Sequence, residues 1–401
     1  MPAVRTMAAP MSVGPTWFQR YLLPGLAFKG FVIGGGYATG RELAEYFLPS
    51  GPQGGLLGLG LAMLVWSTVC ALTFVFARAT HSYDYRAFFG QLVGRGWIAF
   101  EAAYIVFMVL ILAVFGAAAG AIVAAATGWP PIVGTLALML AIGVVVALGN
   151  RSVERLFGWA SLLLYAVYFL FVVFAWSAFG DRIVAGLSTP RPTAGWLTAD
   201  WIRGGLTYAC YNIVGAVAIL PVARHFTGRR DAAVAGLLAG PVAILPAIAF
   251  FACMAAWLPG IAAEALPADF LLQQMQRPLF HLLFQAMIFS ALLESGVGAV
   301  HAINERVAGA WRGRGSGELP RGARLAIAAV LLVGSIFVAG RFGLVALIAH
   351  GYRALAWMIL FVFVLPLLTV GVWRLFAKAK PSLATDLHGS AQIRRKQTMR
   401  E

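Results

Sequence analysis

Ile33-Gly34-Gly35-Gly36-Tyr37-Ala38-Thr39-Gly40-Arg41-Glu42 interrupts the first long apolar run of the chain near its middle. A helix in lipid satisfies its backbone polar groups internally, because hydrocarbon offers no hydrogen-bond partners. Four glycines at Gly34, Gly35, Gly36 and Gly40 work against that, since glycine is the poorest helix former after proline. Irregular backbone at membrane depth is tolerated only inside protein or beside a polar cavity. Interrupted helices of this kind present half-helix ends and free backbone groups to solutes and ions. The stretch therefore predicts a broken membrane helix that forms part of a binding site.

The rest of the 401 residues supports a membrane setting. The chain is 61% hydrophobic and only 11% charged, with a mean hydropathy of +0.84, whereas a soluble domain is about one quarter charged. Apolar runs recur from Trp17 to Trp373, which excludes a soluble protein. Ten spans are predicted: 18–46 (broken), 54–77, 97–126, 131–149, 156–179, 201–223 (broken), 233–258, 278–304, 324–340 and 343–373. The first apolar run shows no cleavage site of the kind that ends a signal peptide. Cys70, Cys210 and Cys253 all fall in spans and read as small apolar residues.

The net charge of +15 is sorted by side rather than gathered into a nucleic-acid patch. With the N-terminus inside, 22 of the 30 basic residues lie in the inner connections and tails. Five (Arg182, Arg191, Arg203, Arg277 and Arg341) lie outside, and Lys29, Arg41 and Arg353 lie within spans. This asymmetry predicts that the N- and C-termini both lie on the inner, cytoplasmic side. The basic tail 377–401 is suited to anionic headgroups.

Five spans precede the outer connection 180–200 and five follow it, so the second half enters the membrane inverted. The expected organisation is an N-terminal segment 1–16, a first repeat 17–179, that connection, a second repeat 201–376 and the tail. The sixth span occupies the slot of the first and carries Tyr208, Tyr211, Asn212 and Gly215 at mid-depth. Interruptions at equivalent places in two halves point to a midplane site, although Tyr and Asn also bridge neighbouring helices. Ser82 to Val93 reads as a short amphipathic helix on the inner face, and Ile261 to Met275 as an outer cap helix.

The first-span sequence Gly-Gly-Gly-Tyr-Ala-Thr-Gly-Arg-Glu-Leu (34–43) resembles the Gly-Ala-Gly-Phe-Ala-Ser-Gly-Gln-Glu signature of the bacterial YkvI-like membrane proteins. These belong to the amino acid–polyamine–organocation superfamily. The resemblance runs from Phe18 to Trp373 and implies an all-α fold of ten transmembrane helices, in the five-plus-five inverted repeat of the leucine transporter. It also implies secondary transport. In that superfamily the unwound parts of spans one and six hold substrate, and spans one and eight hold a coupling sodium, which points here to 33–40, 208–215 and 290–298. Ile33, Ser290, Glu294 and Ser295 are the implied ion-coupling residues. The eighth span lacks the expected pair of hydroxyls, so a proton is the preferred coupling ion over Na+.

The residues themselves leave several readings open. Gly36 and Gly40 also form a small-xxx-small pair suited to helix packing, while their spacing fits no phosphate-binding loop. Backbone amides of 34–40 with the Thr39 hydroxyl suit a substrate carboxylate, and Tyr37, Tyr208, Tyr211 and Asn212 would meet the rest of the solute. Ser290, Glu294, Gly298 and His301 share one helix face. An ionisable group in the bilayer is costly, so Glu294 is either a proton carrier or a structural partner of Arg353 or Lys29. Lys29 either snorkels to the interface or occupies a cation site. Glu42 and Glu45 either gate the outer vestibule or pair with Arg41. No catalytic pair, metal motif or cofactor site stands out, so an enzyme is not expected. The expected partners are a small-molecule substrate and the lipid bilayer, without nucleic acid. The oligomeric state has no sequence signal. A membrane sensor or scaffold that keeps the transporter fold is the alternative function.

Overall fold

The computed structural model describes residues 15–148, 150–188, 199–312 and 318–377. The N-terminal segment to residue 14, residues 189–198 of the outer connection and the tail from 378 lie outside the described residues. The described chain is helical throughout, with seven helical runs long and apolar enough to cross a membrane. Large apolar side chains such as Leu140, Phe169, Val330, Phe337 and Phe342 stand exposed on the outside of the bundle. That is the surface a bilayer requires of a multi-pass protein.

The first span is in three pieces. A π-helical turn Phe18–Leu22 leads into α1 (Leu23–Val32), followed by the single turn α2 (Gly35–Ala38) and by α3 (Arg41–Tyr46). Next come α4 (Gly51–Thr80), α5 (Tyr85–Val93), α6 (Trp97–Thr127), α7 (Pro131–Leu148) and α8 (Asn150–Ser188), which bends at Phe179. Asp84 caps α5, accepting from the Ala87 N–H at 2.9 Å, as its place before an amphipathic turn dictates. The sixth span comprises α9 (Asp200–Asn212), α10 (Val214–Ala218) and a 3-10 turn Leu220–His225. Then follow α11 (Arg229–Ala255), the short α12 (Pro267–Met275) and α13 (Pro278–Arg312). The run 321–377 starts as α14 (Arg321–Ala346), turns at Gly343 (φ 72°), and continues through π-helical stretches with α15 (Arg353–Ile359) and α16 (Val372–Ala377).

The helices sort into two groups. One holds α1, α4, α9 and α11, with α4 and α11 in the most extensive contact of the molecule; the other holds α6, α7, α13 and α14. The α4–α11 seam is closed by small residues: a Cβ on Gly236 or Gly240 would overlap the α4 backbone at Ala71 or Met63. Ser67 Oγ also donates to the Leu237 carbonyl at 2.9 Å. Without a hydrophobic drive between helices in lipid, such close backbone approach and added hydrogen bonds supply the attraction.

Candidate functional site

The first break differs in detail from the expected open stretch. Helix stops at Ile33, whose ψ of 84° lies outside the helical region. It resumes for one turn because the Ala38 N–H donates to the Gly34 carbonyl at 2.9 Å. It stops again at Thr39–Gly40, where Gly40 takes φ 78°, a left-handed conformation that costs a residue with a Cβ about 1–2 kcal/mol. Residues 34–40 are thus two kinks around a turn and not one unwound segment.

The second expected break is shallower still. Ile213 separates α9 from α10 but keeps near-helical angles, φ −64° and ψ −14°. The larger departure comes later, at Ile219 and the Pro221-containing 3-10 turn. Asn212 turns back on its own helix, donating from Nδ2 to the Tyr208 carbonyl at 3.1 Å. Without a glycine run, span six has nothing that forces it open at 211–215. The glycines serve its crossing with span one. A Cβ on Gly204 would overlap the Tyr46 carbonyl, and one on Gly215 would lie 2.6 Å from Cδ1 of Phe31.

A cavity of about 980 Å³ leads toward the first break. It lies between the two helix groups, with Gly30, Phe31, Ile33, Ile219 and Pro221 on one wall and Met108, Phe115, Glu294, Ser295 and Gly298 on the other. Asp84, Tyr85, Arg306 and Arg312 line its mouth; Tyr85 belongs to α5, whose Gln91 carbonyl accepts from Arg374 of α16. The vestibule therefore opens on the side where the described chain begins and ends. At the mouth, Arg306 bonds Glu101 at 3.0 Å and lies 3.5 Å over both the Tyr85 and Tyr104 rings. Ile33, Glu294 and Ser295 share this vestibule, while Ser290 does not line it. Arg353 is exposed. Lys29 is half-buried and lines a separate cleft of about 320 Å³ with Leu164, Tyr168 and Pro246.

The opposite side is sealed. Arg41 is 7% exposed; it bonds Glu45 at 2.8 Å and the Glu264 and Ala262 carbonyls at 2.9 and 3.2 Å. The Ala268 N–H of α12 donates to the Thr39 carbonyl at 2.9 Å, and the Tyr46 hydroxyl to the Ile348 carbonyl at 2.6 Å. The Thr39 hydroxyl is spent inside the loop on the Gly36 carbonyl, at 3.0 Å.

Sequence reasoning missed the central position of Glu42. It is 3% exposed and turns inward, away from Arg41. Its carboxylate accepts from the Tyr211 hydroxyl at 2.6 Å. It rests on Gly36, where a Cβ would overlap Oε1 and stand 2.8 Å from Cγ. Tyr37 and Tyr208 are fully buried, and their hydroxyls have no hydrogen-bond partner among the described residues. The Tyr211 ring also packs against that of Tyr352, with centroids 4.5 Å apart and planes tilted by 38°. The signal available in the sequence was spacing: Glu42 follows Gly36 by six residues, and only the tight left-handed turn at Gly40 brings them together.

No family model matches the chain. It is 23% identical over 289 residues to the uncharacterized membrane protein YkvI of Bacillus subtilis (strain 168), covering 70% of this chain and 79% of that protein. Its fold is similar to that of MhsT in a crystal structure with L-phenylalanine, with a TM-score of 0.55, 17% identity, and 87% and 90% of the two chains covered. It is also similar to a mutant manganese transporter of Eremococcus coleocola, with a TM-score of 0.52, 16% identity, and coverage of 90% and 81%. The resemblance to YkvI-like membrane proteins thus extends over most of the chain, and the fold is of the leucine-transporter type.

Proposed function

We propose that the protein is a secondary transporter that moves a small organic solute, an amino acid or a related zwitterion or amine, by alternating access. The observation that carries this reading is the one-sided vestibule between two helix groups, open toward the termini, sealed on the far side and ending at a broken helix. A cavity so placed becomes a transport path when one group rocks against the other. The fold likeness to transporters supports the same reading.

The proposed framework is ten spans in two inverted halves of five, in the inner membrane with cytoplasmic termini. The helix groups support it: α1 and α9, α4 and α11, α6 and α13, and α7 and α14 hold equivalent places in the two halves, and each pair stays within one group. Such pairing is what an inverted repeat produces. Glu294 is the proposed proton carrier, because it lines the vestibule beside Ile33 of the break. The substrate residues are those around the break, with Glu42 joining Gly36, Tyr37, Tyr208 and Tyr211.

The test is uptake into proteoliposomes with an imposed pH gradient. Saturable accumulation is expected for the wild type. Glu294→Gln is expected to lose accumulation while retaining solute exchange, since only the titrating step is removed. Wild-type accumulation by that variant would return Glu294 to a structural role and favour sodium, to be examined with a sodium gradient. No saturable uptake of any solute would favour a sensor or scaffold.

A further inference from the structure

We propose that the cargo is a small organic ammonium without a carboxylate of its own, held by Glu42 as counter-charge inside a cage of tyrosines. This deepens the transport reading and rests on it. The backbone amides of the first break were the expected seat for a substrate carboxylate, but the protein fills that seat itself. Glu42 accepts from the Tyr211 hydroxyl and lies against Gly36. Gly34, Ala38 and Gly40 donate their own N–H groups to Val32, Gly34 and Tyr37 carbonyls at 2.9 Å each. An incoming carboxylate would find these three donors taken and the Glu42 carboxyl group in its place.

The same arrangement suits a cation. Among the described residues Glu42 has no basic side chain within ion-pair distance; the neighbouring Arg41 is committed to Glu45 and two loop carbonyls. A buried carboxylate without a counter-charge is costly, and a cargo ammonium would supply one. The surroundings are aromatic. Tyr211 has Tyr46, Tyr208 and Tyr352 at centroid distances of 6.0, 5.8 and 4.5 Å, and tyrosine faces attract ammonium groups. Tyr37 and Tyr208 are fully buried and lie within electrostatic reach of Glu42. Their unpartnered hydroxyl oxygens can accept from an N–H⁺, since a phenol both donates and accepts. The vestibule reaches Ile33 and Phe115, and a Cβ on Gly34 would already touch the Phe115 ring at 3.3 Å. Ile33, Gly34 and Phe115 thus stand where the open path ends, and Glu42 with its tyrosines is packed outside the vestibule lining.

The experiment compares matched pairs that differ only by a carboxylate: phenethylamine with phenylalanine, isobutylamine with valine, and cadaverine with lysine. Binding is measured by tryptophan fluorescence and thermal shift on the full-length protein in nanodiscs, and uptake in proteoliposomes. In at least one pair the amine is expected to bind tighter than its parent by roughly tenfold to a hundredfold, the scale of one charge-assisted contact. Glu42→Gln, near-isosteric and checked for monodispersity, is expected to erase that preference. The wild-type comparison stands even if the variant fails to fold. Tighter binding of the parent amino acids, or a Gln variant that keeps the amine preference, would overturn the assignment. If another solute is transported and no amine binds, the cargo class falls and the transport reading survives. If no probe of either kind binds and no solute is taken up, both fall.

Discussion

Two buried tyrosines one turn apart give opposite expectations for the same substitution. Tyr211 donates to the Glu42 carboxylate at 2.6 Å, whereas the Tyr208 hydroxyl is buried without a partner among the described residues. Phenylalanine keeps the ring in both cases, so no cavity forms and the aromatic contacts persist, including those of Tyr208 with Phe47 and Trp66 at 5.1 and 5.3 Å. Removing a donor from a buried charged acceptor costs about 1.5–3 kcal/mol. Removing a hydroxyl that has no partner is neutral or stabilising, because its desolvation penalty of about 1–3 kcal/mol disappears. Tyr211→Phe should therefore be less stable than Tyr208→Phe by about 2 kcal/mol or more, a roughly thirtyfold shift in the unfolding equilibrium. Unfolding by SDS titration in mixed micelles, followed by tryptophan fluorescence, measures the difference. Equal losses in the two variants, or a wild-type curve for Tyr211→Phe, would refute the placement of Glu42 against Tyr211.

Gly40→Ala should destabilise by about 2–4 kcal/mol, combining left-handed strain with overpacking, because a Cβ there meets Phe250 at 2.6 Å. Gly60→Ala, in α4 with nothing within 4 Å, should be neutral or slightly stabilising, and thermal unfolding of the pair in detergent checks both. Arg41→Ala should loosen the far-side seal by removing three bonds to Glu45, Ala262 and Glu264. Hydrogen exchange should then quicken in 260–275, and unchanged protection there would contradict the role given to Arg41.

The sequence by itself determined the class of molecule and the position of its decisive irregularity. Helix formation and membrane burial depend on local composition and period, so the apolar runs, the glycine cluster and the short helices near 85–93 and 267–275 could be read directly. The resemblance of 34–43 to the YkvI-like signature led to the fold by the same local route. The depth of the sixth-span break was not legible in this way. Tyr208, Tyr211 and Asn212 look like interruption residues on paper, but Asn212 satisfies its polar group on its own helix and the span continues. Glu42 was ambiguous because its sequence neighbour Arg41 offers a partner. Only the tertiary fold sends Arg41 to carbonyls more than 200 residues away and Glu42 inward to Tyr211, 169 residues on. Propensity acts over a few residues, whereas the fate of a buried charge is fixed by whichever distant donors the packing brings within 3 Å.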